Sequence, residues 1–495
     1  MNVLEWLPFI VLVPLISAGV VALLPGRFWP WVLTLLVCLS SATLAAVLLP
    51  AAQTSELSYF FGNWQPPIGV EYRVDGANAF VALLVASMAS LSLLWAKTSV
   101  DQEIPKRQGA FYALFLMALA GLLGITLSGD AFHIFVFLEI SSLATYAIIA
   151  HGRDRRALLA AFRYLIMGTV GATFLLIGIA FLYMMTGTLN LADMAERLPE
   201  VADTRSVRAG LAFIIVGLGL KLALLPLHLW LPNAYTYAPH FVTVFLAGTA
   251  TKVALYVMLR FVFTVFSPEY SFVVLPLSSV LMVLAVAGMF AGSWVAMFQD
   301  NVKRMLAYSS VAQVGYMVLG VSLVSTIGMT AAFVHLFNHA LMKTALFMAV
   351  GCLAYRAGSI KLQNVRGCGR QMPWTMTAFA LAGLSLIGVP TTAGFISKWY
   401  LILAAVDAQS WWLVGLIVIT SMMAVYYIWR VIEAAWMTDR PKGAPRLKEA
   451  PLSLLIPTWV LVALNFYFGL DTRLTVGASS AAAEALLGIP MGGLP

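Results

Sequence analysis

The sequence predicts an all-α, polytopic membrane protein with about fourteen transmembrane helices. Three observations carry that expectation. Of its 495 residues, 61% are hydrophobic and only 10% are charged. Mean hydropathy is +0.92, and apolar runs of about 20 residues, enough to cross a bilayer, recur from one end to the other. The net charge of +8 does not imply a nucleic-acid partner. The basic residues fall in short loops between apolar runs, where they act as topology signals. The lipid bilayer is therefore the first expected partner.

In chain order the apolar runs lie near 3–24, 30–50, 76–96, 109–128, 131–150, 161–187, 208–230, 239–265, 271–293, 303–323, 326–354, 374–405, 409–435 and 452–470. The first lacks a basic leader and a small-residue cleavage site, so it reads as a retained helix rather than a signal peptide. Fourteen spans place both termini on one side. Eighteen lysines and arginines, from Arg27 to Lys448 and including Lys442, fall in one set of alternate loops. Only Arg73, Arg197, Arg205, Arg208 and Arg473 fall in the other. This asymmetry assigns the first set to the cytoplasm and both termini to the non-cytoplasmic side of a cell's inner membrane. Cys38, Cys352 and Cys368 show no paired metal-ligand spacing and read as reduced interior residues, so neither a metal nor a cofactor is expected.

Two segments carry a shared pattern. Gly219-Leu-Lys221-Leu-Ala-Leu-Leu-Pro226 aligns with Gly383-Leu-Ser385-Leu-Ile-Gly-Val-Pro390, and each proline removes a backbone donor inside an apolar run. Such a break in mid-membrane is tolerated only where protein or a polar cavity satisfies the freed carbonyls. The span after each break carries Tyr-x-x-x-Arg, as Tyr256 to Arg260 and Tyr426 to Arg430. The expected organisation is three helices over 1–108, a five-helix unit over 109–265, a second over 271–435, and a final helix and tail over 452–495. Because five is odd, the two units are inverted, and paired broken helices in inverted repeats mark a transporter's ion site.

Charges inside the apolar runs point to the same function. Lys221, Lys252, Lys343, Lys398 and Glu139 sit where an insertion scale sets a cost of about 3 kcal/mol per charge, so a polar pathway inside the protein is expected. Glu139 is the candidate counter-ion of Lys221; a carboxylate that merely ties two helices together is the plainer alternative. At about 4 Å and an effective dielectric near 20 such a pair is worth roughly 4 kcal/mol, so a small helix movement can switch the amine between holding and releasing a proton. His335, His339 and Lys343 follow at four-residue spacing and share one helix face. Histidine suits a proton relay. Lys398 follows the second break, and Lys343 can equally be a supporting or inter-subunit residue. His228 and His240 read as helix-end packing, with proton entry as the alternative. Arg260 and Arg430 read as interfacial anchors, and Trp411 and Trp412 as belt residues.

With these residues in view, the chain resembles the antiporter-like membrane subunits shared by Mrp-type multisubunit cation/proton antiporters and respiratory complex I. The resemblance rests on Phe137-Leu-Glu139, on Leu220-Lys221 through Pro226 to Ala234, and on Thr251-Lys252 through Tyr256. It rests also on Ala307-Tyr308-Ser309-Ser310 through Gly315-Tyr316, on Asn338-His339 through Lys343, and on Gly388-Val389-Pro390 through Ser397-Lys398. These segments run from about residue 110 to 405.

The resemblance implies fourteen helices with two inverted five-helix repeats. It implies Glu139 and Lys221 as the input pair, Lys252 as a central bridge, His335 and His339 as the connecting relay and Lys398 as the terminal site. It also implies other membrane subunits as partners and protons with monovalent cations, Na⁺ first, as cargo. The lysine at 398 and the short stretch after the last span match an Mrp D-type subunit. A secondary transporter subunit rather than an enzyme is therefore expected, with a proton-pumping subunit of complex I or a membrane-bound hydrogenase as the alternative.

Overall fold

The computed structural model describes residues 3–441 and 445–488, so Lys442 and residues 1–2 and 489–495 of the two terminal segments lie outside the described residues. The chain is a helical bundle. It runs through α1 (Phe9–Leu23), α2 (Phe28–Thr54), α3 (Gly76–Glu103), α4 (Gln108–Leu127), α5 (Ala131–Ala150), α6 (Arg156–Thr186), α7 (Leu191–Val201) and α8 (Arg205–Leu222). Then come α9 (Trp230–Tyr237), α10 (His240–Gly248), α11 (Ala250–Leu259), α12 (Leu277–Met297), α13 (Val302–Ser322) and α14 (Thr326–Ala357). Two single turns, α15 (Leu362–Val365) and α16 (Cys368–Gln371), lead to α17 (Pro373–Ile387), α18 (Ala393–Asp407), α19 (Trp411–Trp436), α20 (Leu452–Leu470) and α21 (Arg473–Leu487).

Among the described residues twelve helices are long and apolar enough to cross a membrane, with α10, α11 and the π-helix that extends them counted as one. The two expected spans outside that count are the two broken ones, 208–230 and 374–405. Their pieces fail for physical reasons: α8 carries Arg205, Arg208 and Lys221 over 18 residues, and α17 has only 15 residues. Expectation and structure agree closely at α5, and less well at α6, which starts at Arg156 rather than near 161. Hydropathy falls at Arg156 and Arg163, yet such side chains extend outward while their stems cover apolar surface, so the helix continues through them.

Several elements were not expected. An antiparallel hairpin of β1 (Leu57–Phe60) and β2 (Glu71–Val74) pairs Leu57 with Val74 and Phe60 with Glu71. The run 239–265 is interrupted at Thr249, whose φ of −127° and ψ of −63° separate α10 from α11, and it ends in a π-helix over Arg260–Val265. Beyond the last span, α21 packs back on α3 and α14.

Packing repeats along the chain. Helix α4 lies on α5, α5 on α6, α6 on α8, and α8 on α11; in the same order α12 lies on α13, α13 on α14, α14 on α17 and α18, and these on α19. Small residues allow the close approaches that hold helices together where no hydrophobic gain is available from lipid. A Cβ on Gly217 would lie 2.6 Å from the Gly171 carbonyl, and one on Gly315 2.6 Å from the Ala285 carbonyl. Helix α14 lies at the centre, touching α10, α13, α17, α18, α20 and α21.

Candidate functional site

The first break sets Lys221. Pro226 cannot share a helix with the carbonyl four residues earlier, that of Leu222, and α8 ends there. Ala223 turns into the left-handed region at φ 60°. The indole of Trp230 donates at 2.7 Å to the Leu220 carbonyl, which also accepts from the Ala223 N–H, and its ring stacks on Tyr164 with centroids 3.9 Å apart. Lys221 is buried. Its ammonium donates to Ser142 Oγ at 2.7 Å and Tyr146 Oη at 3.4 Å.

The expected direct Glu139–Lys221 pair is not formed: no contact within 4.0 Å joins the two among the described residues. Glu139 is half-buried with one carboxylate oxygen unpartnered. The reason is registry. Glu139, Ser142 and Tyr146 follow at spacings of three and four along α5, and Lys221 reaches the hydroxyls a turn beyond the carboxylate. A cavity of about 40 Å³, bounded by Ser141, Ser142, Tyr164, Lys221, Ala250 and Val253, lies between this group and α11. That is room for a water molecule with polar partners on one wall.

The second group gathers around α14. The interruption at Thr249 frees the carbonyl of Ala247, and the wholly buried ammonium of Lys252 donates to it. His335, His339 and Lys343 are all buried on α14. The two imidazoles lie nearly parallel, 6.1 Å between centroids and 13° between planes. His335 Nδ1 is 2.8 Å from Ser397 Oγ. Its other nitrogen and both nitrogens of His339 are buried without a partner among the described residues. Orphaned buried polar atoms are rare because each costs about 1–3 kcal/mol. Lys343 donates to the Leu306 carbonyl at 2.8 Å and to Ser309 Oγ, so it is held against α13.

The third group is Lys398. Pro390 ends α17 at Ile387, and Gly388 adopts φ 93°, a conformation open to glycine. Lys398 donates to the freed carbonyls of Leu386 and Ile387 at 3.2 and 2.8 Å and to Ser421 Oγ at 3.0 Å. It lies 4.9 Å from the Tyr316 ring centroid. Tyr316 in turn packs against His335 at 5.6 Å and its hydroxyl meets Thr420 Oγ1 at 2.7 Å. Lys398, Tyr316, His335 and His339 thus form one contiguous buried series.

The sequence named the ionisable groups but missed the hydroxyls that join them: Ser142, Tyr146, Tyr316, Ser397, Thr420 and Ser421. Their signal was weak, since serine and tyrosine are common in membrane helices; only adjacency to the charged motifs, as with Ser397 beside Lys398, could have found them. Arg260 is not an interfacial anchor. It pairs with Asp75 at 2.8 Å, side chains 11% and 16% exposed. Arg430 donates to the Met297 carbonyl and lies 3.8 Å from Asp300. His240 opens α10, where the Glu103 carboxylate caps it by accepting its backbone N–H at 3.1 Å, and His228 packs on Tyr308. The three cysteines are buried free thiols.

Residues 128–424 match the family model described as NADH:quinone oxidoreductase/Mrp antiporter, transmembrane. The chain is 42% identical to the N-type subunit of the NADH-quinone oxidoreductase of Desulforudis audaxviator, over 91% of this chain and 93% of that one. It is 28% identical to the D-type subunit of the Na(+)/H(+) antiporter of Alkalihalophilus pseudofirmus, over 82% of each. Its fold matches a chain in the Mrp complex from Dietzia sp. with a TM-score of 0.90 and 25% identity, over 98% of both chains. A multi-pass bundle with these breaks, these buried amines and these relatives belongs to the NADH:quinone oxidoreductase/Mrp antiporter membrane-subunit family.

Proposed function

We propose that the chain is a proton-translocating subunit of a multisubunit membrane assembly that exchanges a monovalent cation, Na⁺, for protons. Protons enter at Glu139 and Lys221, pass to Lys252, run along His335 and His339, and leave at Lys398. Lys343 supports the centre of this path. The residues 109–265 and 271–435 act as two inverted half-pathways, and the basic loops and the two termini lie on the cytoplasmic and non-cytoplasmic sides of the inner membrane respectively.

One observation carries the reading. Ionisable groups that are costly to bury are kept in the bundle's interior, where among the described residues hydroxyls and backbone carbonyls hold the amines in place of carboxylates and the Tyr316 ring lies between His335 and Lys398. Transport is tested with the purified complex in proteoliposomes. Lys221→Ala or Glu139→Ala should abolish cation-driven proton movement while the complex still assembles, and undiminished movement in both would contradict the reading.

A second assembly is favoured by a specific finding. Identity to the oxidoreductase relative, 42%, exceeds that to the antiporter relative, 28%, so the relatives do not favour an Mrp complex over a redox-driven one. In the redox-driven version the same relay is powered by quinone reduction in neighbouring subunits. Identification of the companions that co-purify in mild detergent separates the two: small hydrophobic subunits support the antiporter, and flavin or iron–sulfur subunits support the oxidoreductase.

A further inference from the structure

Four polar side chains, Lys252, Tyr256, Arg260 and Thr264, follow at four-residue spacing from the centre of the bundle towards the face that carries the β-hairpin. Residues at this spacing line one side of a helix, and the exposures rise along the file. Lys252 is 0% exposed and Tyr256 1%, the Arg260 side chain is 11% exposed, and Thr264 is half-buried. Around the Arg260–Asp75 pair lies a cavity of about 40 Å³ lined by both of them, by Tyr256 and Thr264, and by Arg73 and Glu56, whose ion pair is open to solvent. The file thus runs from Lys252, whose ammonium is turned back to the Ala247 carbonyl, towards the hairpin face, and the Arg260–Asp75 pair lies across it.

We propose that the Arg260–Asp75 ion pair is a seal that prevents the proton on Lys252 from leaving through the hairpin face. This rests on the reading of Lys252 as a proton carrier. The guanidinium is always charged and offers five donors in one plane. It uses them to clamp the file, with Nε to Tyr256 Oη at 3.1 Å, one Nη to Thr264 Oγ1 at 3.3 Å and the other to Asp75 Oδ2 at 2.8 Å. Asp75 is held from behind, because its Oδ1 accepts from the backbone of Ala77 and Asn78 at 3.0 and 3.1 Å as the cap of α3. A fixed cation in a narrow polar file opposes passage of another cation.

The second half shows that this is not simply how a Tyr-x-x-x-Arg segment packs. Tyr426 is half exposed, and Arg430 lies 3.8 Å from an Asp300 that is 86% exposed. The matching pair is loose there, and among the described residues no helix cap preorganises a carboxylate for it.

Passive proton permeability of the whole complex in proteoliposomes, with no exchangeable cation, tests the seal. In Arg260→Gln it should rise about tenfold, as for a barrier lowered by about 1.4 kcal/mol, and the added Lys252→Met should return it to the wild-type value. Asp75→Asn, which keeps the α3 cap, should leak in the same Lys252-dependent way. Permeability equal to wild type in both variants would overturn the seal, as would a leak that survives Lys252→Met, which would indicate a hole elsewhere. Cation-driven proton movement in Lys252→Met alone judges the relay separately.

Discussion

The two helix breaks are alike in cause and opposite in use. Each ends a span three or four residues before a proline, yet Lys221 stands before its break and Lys398 after it. At the first break Trp230 donates to the Leu220 carbonyl, and among the described residues the Lys221 ammonium is bound to hydroxyls alone. In the second break the lysine itself satisfies two carbonyls. A proton donor bound to hydroxyls can exchange without exposing backbone, whereas at Lys398 the amine also holds the fold. Two like breaks thus leave one lysine held by hydroxyls and the other held by backbone as well.

Lys398 is accordingly where a substitution should cost most. Lys398→Met should abolish proton movement and also destabilise the chain by about 1–3 kcal/mol, because buried carbonyls lose their donor; thermal unfolding in detergent reads the second part. Lys221→Met should abolish movement with a smaller loss of stability. Equal losses of stability in the two would erase the distinction between the breaks. Ser142→Ala ranks next. It removes a hydrogen bond to a charged group, worth about 1.5–3 kcal/mol, and should slow proton movement by about tenfold or more at unchanged assembly, measured as the initial rate in proteoliposomes. Trp230→Phe should do least, since it keeps the stack on Tyr164 and removes only the indole donor. Stability should fall by about 1 kcal/mol, with transport retained.

Much of this was legible in the residues. Apolar runs gave the spans, because a bilayer demands about 20 apolar residues wherever a helix crosses it. Pro226 and Pro390 located both breaks, since each removes a backbone donor, although Pro14, Pro50, Pro199 and Pro457 lie inside continuous helices. Lys252 was found by its cost, but the interruption at Thr249 that gives its ammonium a carbonyl was not, since Gly248-Thr249 carries no residue that forbids helix. Glu139 and Lys221 were expected to touch, and one turn of registry on α5 decided otherwise. Such a shift of a few ångströms depends on how α5 and α8 are packed, which spacing along one helix does not encode. Arg260 read as an anchor because its partner, Asp75, lies far away in sequence.

Everything proposed for transport requires that the two halves be joined through the imidazoles of His335 and His339. Proton movement is followed in proteoliposomes containing the complex with His335→Gln and His339→Gln together, Lys221, Lys252 and Lys398 being intact. Loss of movement in a complex of normal composition and thermal stability is the predicted result, since neither amide titrates. Wild-type rates in that complex would contradict the relay.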